Sequence, residues 1–197
     1  MSTQNDVTTM PAKLGTLVAM CGLPRSGKST IVKQLSKELS APIVKKDDIR
    51  LALHGQVYQT LAEPFVKAIS KVMVHSLFLS GHPIVIADET HYSMAARDFM
   101  ADGPWETKFY LVDTPKEVCI ERAYKTGHTW LPPVIEEMAA RWEPLGKDEK
   151  LYKGYRSNPV EEMACTKCNQ DIGTDRIDRM IYHTNGHVWP GFAGDPS

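Results

Sequence analysis

Apolar residues in this chain follow two alternating rhythms. Short unbroken runs appear at Thr16-Leu17-Val18-Ala19-Met20-Cys21, Pro83-Ile84-Val85-Ile86-Ala87 and Lys108-Phe109-Tyr110-Leu111-Val112, with a shorter one at Ala41-Pro42-Ile43-Val44-Lys45. A run that is apolar on both faces suits a strand covered on both sides, as in a parallel sheet. Between these runs lie longer stretches with apolar residues at three- and four-residue spacing. Ser29 to Leu39 reads as a helix directly after the first run. Ala62 to Leu79 is expected to put Phe65, Val66, Ile69, Val72, Met73, Leu77 and Phe78 on one helical face, with Gly81 placed to end it. Ser93 can cap a helix through Met100. Pro115 suits the first turn of a helix to about Lys125, and Pro132 and Pro133 open Val134 to Trp142.

Strand and helix in alternation predict the α/β class, a doubly wound and mostly parallel sheet. The pattern divides the chain into a flexible tail over 1–13, an α/β domain over 14–145, and a linker with a small C-terminal appendage over 146–197. Within that last part, residues 146 to 162 are polar without a sustained period and read as a connecting stretch.

Composition narrows the picture. The formal charge of −1 gives no global field for nucleic acid, so any polyanion site must be a local basic groove. No apolar stretch approaches the roughly 20 residues that span a bilayer, so no membrane partner is expected. The N-terminal residues lack the basic start and apolar centre of a secretory signal. Four cysteines in a chain of 197 residues, together with the phosphate-binding motif below, point to a reducing cytoplasm.

Gly22-Leu23-Pro24-Arg25-Ser26-Gly27-Lys28-Ser29 is a complete G-x-x-x-x-G-K-[ST] phosphate-binding loop, set between an expected strand and an expected helix. Such a loop aims backbone N–H groups and the positive end of the helix at one point. The residues expected to hold a nucleoside triphosphate are Gly22, Arg25, Ser26, Gly27, Lys28, Ser29 and Thr30. Lys28 can reach the β- and γ-phosphates, and the Ser29 hydroxyl can bind Mg²⁺.

Asp47-Asp48-Ile49-Arg50 follows the second strand. In a parallel sheet the strand C-termini line the ligand crevice, so this segment is expected beside the triphosphate. A carboxylate there can take the proton of an attacking hydroxyl, and an arginine can hold a phosphate bidentately. The plainer alternative is a helix cap with Arg50 as a surface charge. Asp88 ends the third run, where an acidic group near Mg²⁺ is expected; its alternative is a turn cap.

With these residues in hand, the chain resembles the polynucleotide 5′-hydroxyl kinase family of P-loop phosphotransferases over residues 15 to about 145. The resemblance rests on Gly22 to Thr30, Asp47 to Arg50, Asp88 to Arg97 and Asp113 to Gly127. It implies a P-loop kinase fold with a helical lid near residues 122 to 142. It further implies ATP with Mg²⁺ as the donor and a polynucleotide 5′-OH as the acceptor. By the same resemblance Asp47 is the general base, Arg50 orients the acceptor's phosphate, and Arg122 is an arginine of the lid helix. The second lid arginine of that family falls on Thr126, which leaves Lys125 or Arg25 as stand-ins. Similar D-x-x-R segments occur in adenylylsulfate, antibiotic and sugar kinases. The alternatives are therefore a small-molecule kinase for a sugar, antibiotic or nucleotide, and a nucleotide-binding regulatory module with slow ATPase activity.

Cys165, Cys168, His183 and His187 have C-x₂-C-x₁₄-H-x₃-H spacing, close to zinc-ligand spacings. Two thiolates and two imidazoles would complete a tetrahedral structural site; the alternative is two unrelated pairs. His91 and His128 read as polar loop residues and Cys21 as a small packed side chain. Trp130 can cover adenine or stack on an acceptor base, with simple packing as the plainer reading.

Overall fold

A computed structural model describes residues 13–56, 60–152, 175–177 and 180–182. The chain divides into two compact units, residues 1–157 and 158–197. In the first, the elements run β1 (Thr16–Cys21), α1 (Lys28–Leu39), β2 (Ile43–Lys45), α2 (Lys46–His54), a 3₁₀ turn (Thr60–Ala62) and α3 (Glu63–Leu79), then β3 (Ile84–Asp88), α4 (Met94–Ala101), β4 (Glu106–Leu111), α5 (Lys116–Lys125) and α6 (Pro132–Ala140). In the second, β5 (Asp175–Ile177) pairs antiparallel with β6 (Met180–Tyr182).

The four strands of the first unit form one sheet in the order β2-β3-β1-β4, and every pairing is parallel. Alternation along β1 feeds two cores. Leu17, Val85 and Ala87 pack with Val66, Val74 and Phe78 of α3 and Met100 of α4 on one face. Val18, Met20 and Ile86 pack with Val32 and Leu35 of α1 on the other. Helices cover both faces, which is why these strands read as unbroken apolar runs. The sheet is thus doubly wound, as the pattern predicts. Because it is parallel, the chain leaves β1, β2 and β3 at the same end of the sheet, and the phosphate loop, the Asp47–Arg50 segment and Asp88 all lie at that end.

α3 sits one step around from its expected face. Val66, Ser70, Val74 and Phe78 are buried, while Phe65, Val72, Met73 and Leu79 are exposed. The helix is apolar around much of its circumference, and the sheet covers one four-residue-spaced stripe of it.

Residues 142–152 are also more than a connection. Phe109 N–H donates to Lys150 O at 2.8 Å and Tyr152 N–H to Phe109 O at 2.9 Å, so this strand of chain runs along the free edge of β4. Arg97 of α4, almost wholly buried, anchors it. Its guanidinium donates to the carbonyls of Glu143 (2.9 Å) and Pro144 (3.1 Å) and to the Glu149 carboxylate (2.5 Å).

Candidate active site

The phosphate loop is built by its own turns. Gly22 N–H donates to Thr90 O at 3.0 Å and Ser26 N–H to Leu23 O at 3.1 Å. A Cβ on Gly22 would stand 2.8 Å from Val112 O, so that position admits glycine. Gly27, at φ 102°, turns the chain into α1 as its N-cap. The loop is also held from the side. Thr114 Oγ1 donates to Ser26 O at 2.8 Å, and Arg122 Nη1 reaches the carbonyls of Arg25 and Ser26 at 3.3 Å each. Arg122 therefore lies against the loop. Leu23 packs into a small core with Cys119, Ala123, Leu131 and Ile135, which seats the α5–α6 pair on the loop.

Lys28 is buried, and its ammonium donates to Gly22 O at 2.8 Å and Leu23 O at 2.7 Å. Burial pushes its pKa down to about 8, against the favourable charges of Asp88 and Asp47. Ser29 Oγ donates to Asp88 Oδ2 at 2.8 Å. Burial raises the Asp88 pKa, while Ser29 and the Lys28 charge work the other way. Thr30 follows at the start of α1, exposed, its N–H on Gly27 O at 3.1 Å.

The donor set fits a nucleoside triphosphate with magnesium. A hydroxyl and a carboxylate in contact are hard oxygen ligands of the kind Mg²⁺ takes. Ser26 Oγ is buried without a hydrogen-bond partner. A buried hydroxyl in that state is costly, and a phosphate oxygen would satisfy it.

On the neighbouring strand end, the Asp47 carboxylate is half exposed and accepts from Arg50 Nη1 at 2.6 Å. Its charge acts on both Lys28 and Asp88. Asp48 turns outward to Lys45 at 3.5 Å. Arg50 is mostly engaged within the protein: Nε and Nη2 donate to the two oxygens of Glu63 at 2.6 and 2.7 Å.

Next to Asp88 in the chain, Glu89 centres a buried polar cluster that the sequence reading missed. The Glu89 carboxylate meets Lys46 Nζ at 2.6 Å, Ser70 Oγ at 3.0 Å and His91 Nε2 at 3.4 Å. His91 lies in a loop, as read, and is fully buried. Its Nδ1 faces Met20 O at 2.7 Å, its backbone is left-handed at φ 42°, and burial lowers its pKa. The pairing depends on strand register, which the sequence does not show. Lys45 pairs with Asp88 in the parallel register, so Lys46 and Glu89 leave adjacent strand ends together.

Arg25 also has a left-handed backbone, at φ 65°. Its Nη2 donates to Thr126 Oγ1 at 2.7 Å, which brings a cation from the loop to the end of α5. Cys21 is buried and packed, as read. Trp130 is half exposed, tilted against the His128 ring at 6.5 Å between centroids. Cys165, Cys168, His183 and His187 lie outside the described residues. Among the described residues, no group of three or more His, Cys, Asp or Glu is arranged for a metal, and no helix is long and apolar enough to cross a membrane.

A parallel sheet with a strand–phosphate loop–helix unit and an acidic group on the adjacent strand end defines a P-loop kinase-like domain. Residues 17–145 match the model of the AAA domain family, and the chain belongs to that family. A gluconokinase from Sinorhizobium meliloti 1021 shares the fold at a TM-score of 0.50 and 18% identity, covering 71% of this chain and 82% of that one. The APS kinase CysC of Mycobacterium tuberculosis, solved with AMPPNP and APS, does so at 0.52 and 19%, covering 75% and 92%. A chain of the Pnkp1/Rnl/Hen1 RNA repair complex does so at 0.57 and 19%; 70% of this chain matches 46% of that one. At these identities the likeness is one of fold.

Proposed function

We propose that this protein is an ATP-dependent kinase that phosphorylates a hydroxyl acceptor. The observation that carries the reading is the Ser29–Asp88 contact at 2.8 Å, set beside Lys28 in the loop, with the charge of Asp47 acting on both Lys28 and Asp88. Lys28 and the loop N–H groups hold the β- and γ-phosphates in place, where chemistry is chiefly positioning and charge stabilisation. Ser29 and Asp88 are the residues that would hold Mg²⁺, which when bound neutralises charge building on the transferring group. Asp47 accepts the acceptor's proton, and Arg50 keeps the Asp47 carboxylate oriented through their 2.6 Å contact. Arg25 within the loop and Arg122 against it supply positive charge on the lid side.

The Asp47-to-Arg50 motif supports a polynucleotide 5′-OH as the acceptor. One observation favours a small hydroxyl compound instead: Glu63 already takes Arg50 Nε and Nη2, which a substrate phosphate would use. The experiment is transfer of labelled γ-phosphate to a panel of 5′-OH oligonucleotides, nucleosides and sugars. Acceptor-dependent labelling, lost in Lys28→Ala, supports the kinase. Label released only to water at the same rate with every acceptor rejects it.

A further inference from the structure

Arg50 stands beside the proposed base, so whatever reaches Asp47 also meets Arg50. A guanidinium recognises phosphate by two parallel N–H groups. Here the pair formed by Nε and Nη2 is closed by the Glu63 carboxylate, at 2.6 and 2.7 Å, and Nη1 is held by Asp47 at 2.6 Å. The Arg50 side chain is 15% exposed and that of Glu63 26%, so the pair is only partly screened by water. Two carboxylates around one guanidinium sum to one negative charge over these three side chains. A phosphate arriving there would have to displace a bidentate carboxylate and would be repelled by what remains. A neutral hydroxyl compound faces neither obstacle, and carboxylate oxygens are good acceptors for its O–H groups.

Glu63 is well supported where it stands. It is the first residue of α3, where the helix end favours a negative charge, and Pro64 follows it in the first turn.

We propose that Glu63 is an acceptor-selecting residue. Its carboxylate, closed on Arg50 beside Asp47, turns away acceptors that carry a phosphate next to the reacting hydroxyl and admits neutral polyhydroxyl compounds. The assignment rests on the reading of Asp47 as the base of a hydroxyl kinase.

The test has a binding arm and a transfer arm, both with the full chain. In the binding arm, protein saturated with Mg·AMPPNP is titrated with inorganic phosphate by calorimetry, so that the donor site is already filled. Glu63→Ala should bind phosphate at least about tenfold more tightly than wild type, the size expected for a freed bidentate charge pair. Adding Arg50→Ala to that variant should remove the gain. In the transfer arm, the ratio of kcat/KM for a 3′-phosphorylated mononucleotide to that for its nucleoside should rise by a similar factor in Glu63→Ala. Glu63→Gln, which keeps the shape and drops the charge, should show a smaller rise in both arms and serves if the alanine variant does not fold. Equal phosphate affinity in wild type and both variants overturns the assignment, as does a wild-type preference for the phosphorylated acceptor. Absence of transfer to every acceptor overturns the kinase reading instead, and the phosphate titration then decides the role of Glu63 alone.

Discussion

Ser29 and Asp88 are 59 residues apart in the chain and 2.8 Å apart in the fold, hydroxyl to carboxylate. The contact joins the first turn of α1 to the end of β3 and sets the pair of oxygens on which the proposed magnesium site depends.

Asp88→Asn is expected to trade activity for stability. Burial holds the folded-state pKa of Asp88 above its usual value. A group raised in this way favours folding below its unfolded pKa, and that contribution is lost as pH rises through the folded one. At neutral pH the charged Asp88 is therefore a cost, which asparagine removes while keeping an oxygen for Ser29. Thermal melts should show the variant more stable than wild type at pH 7, with the gap closing towards pH 4. Its Mg²⁺-dependent transfer should fall by at least about tenfold.

Nucleotide binding should take up a proton near pH 8. The Lys28 ammonium, with a pKa of about 8 in the free protein, is partly deprotonated there, and phosphate oxygens beside it restore the charge. Calorimetry in buffers of different ionisation enthalpy measures this directly, and Lys28→Met should abolish the buffer dependence. The linked effect on folding has a definite sign. A lysine whose pKa is depressed from 10.5 to about 8 adds stability above the higher value, and loses it as pH falls through the lower.

The two adjacent carboxylates should separate cleanly. Asp47→Asn is expected to lower kcat by ~10²–10⁴, the usual cost of a lost general base, with ATP affinity unchanged. Asp48, turned out to Lys45, should tolerate asparagine within a few-fold. Steady-state kinetics of both variants decide the matter, and a reversed order would hand the role of base to Asp48.

Arg25 can be split into backbone and side-chain effects. Its φ of 65° is strained for any residue with a Cβ, so Arg25→Gly should be more stable than Arg25→Ala by roughly 1 kcal/mol. Both variants lose the guanidinium and its link to Thr126, so transfer should fall to the same extent in each. Unequal loss would mean that loop conformation, and not charge, is what Arg25 supplies.

Much of this was legible in one dimension. The apolar runs marked β1, β3 and β4 because a strand buried on both faces must be apolar throughout. Gly22 to Ser29 marked the loop because close approach to phosphate demands that spacing. Ser93 marked the start of α4, and its hydroxyl indeed accepts from Ala96 N–H at 3.3 Å. The contact at the end of α5 was half legible: Thr126 could be read as a missing arginine, but not as the group on which Arg25 rests.

The sequence by itself determined the layered α/β architecture, the phosphate loop and the neighbourhood of Asp47 and Asp88, because each follows from local period or fixed spacing. Tertiary structure decided the rest. It selected which stripe of α3 is buried, since that helix is apolar on more than one side and the sheet covers one. It set Glu63 on Arg50, Glu89 on Lys46 and His91, and Arg97 beneath residues 142–152. These are pairings between charges at unrelated chain positions. Periodicity carries no information about them, because a charged residue at a helix end or strand end reads as solvated until packing removes the water and replaces it with protein partners.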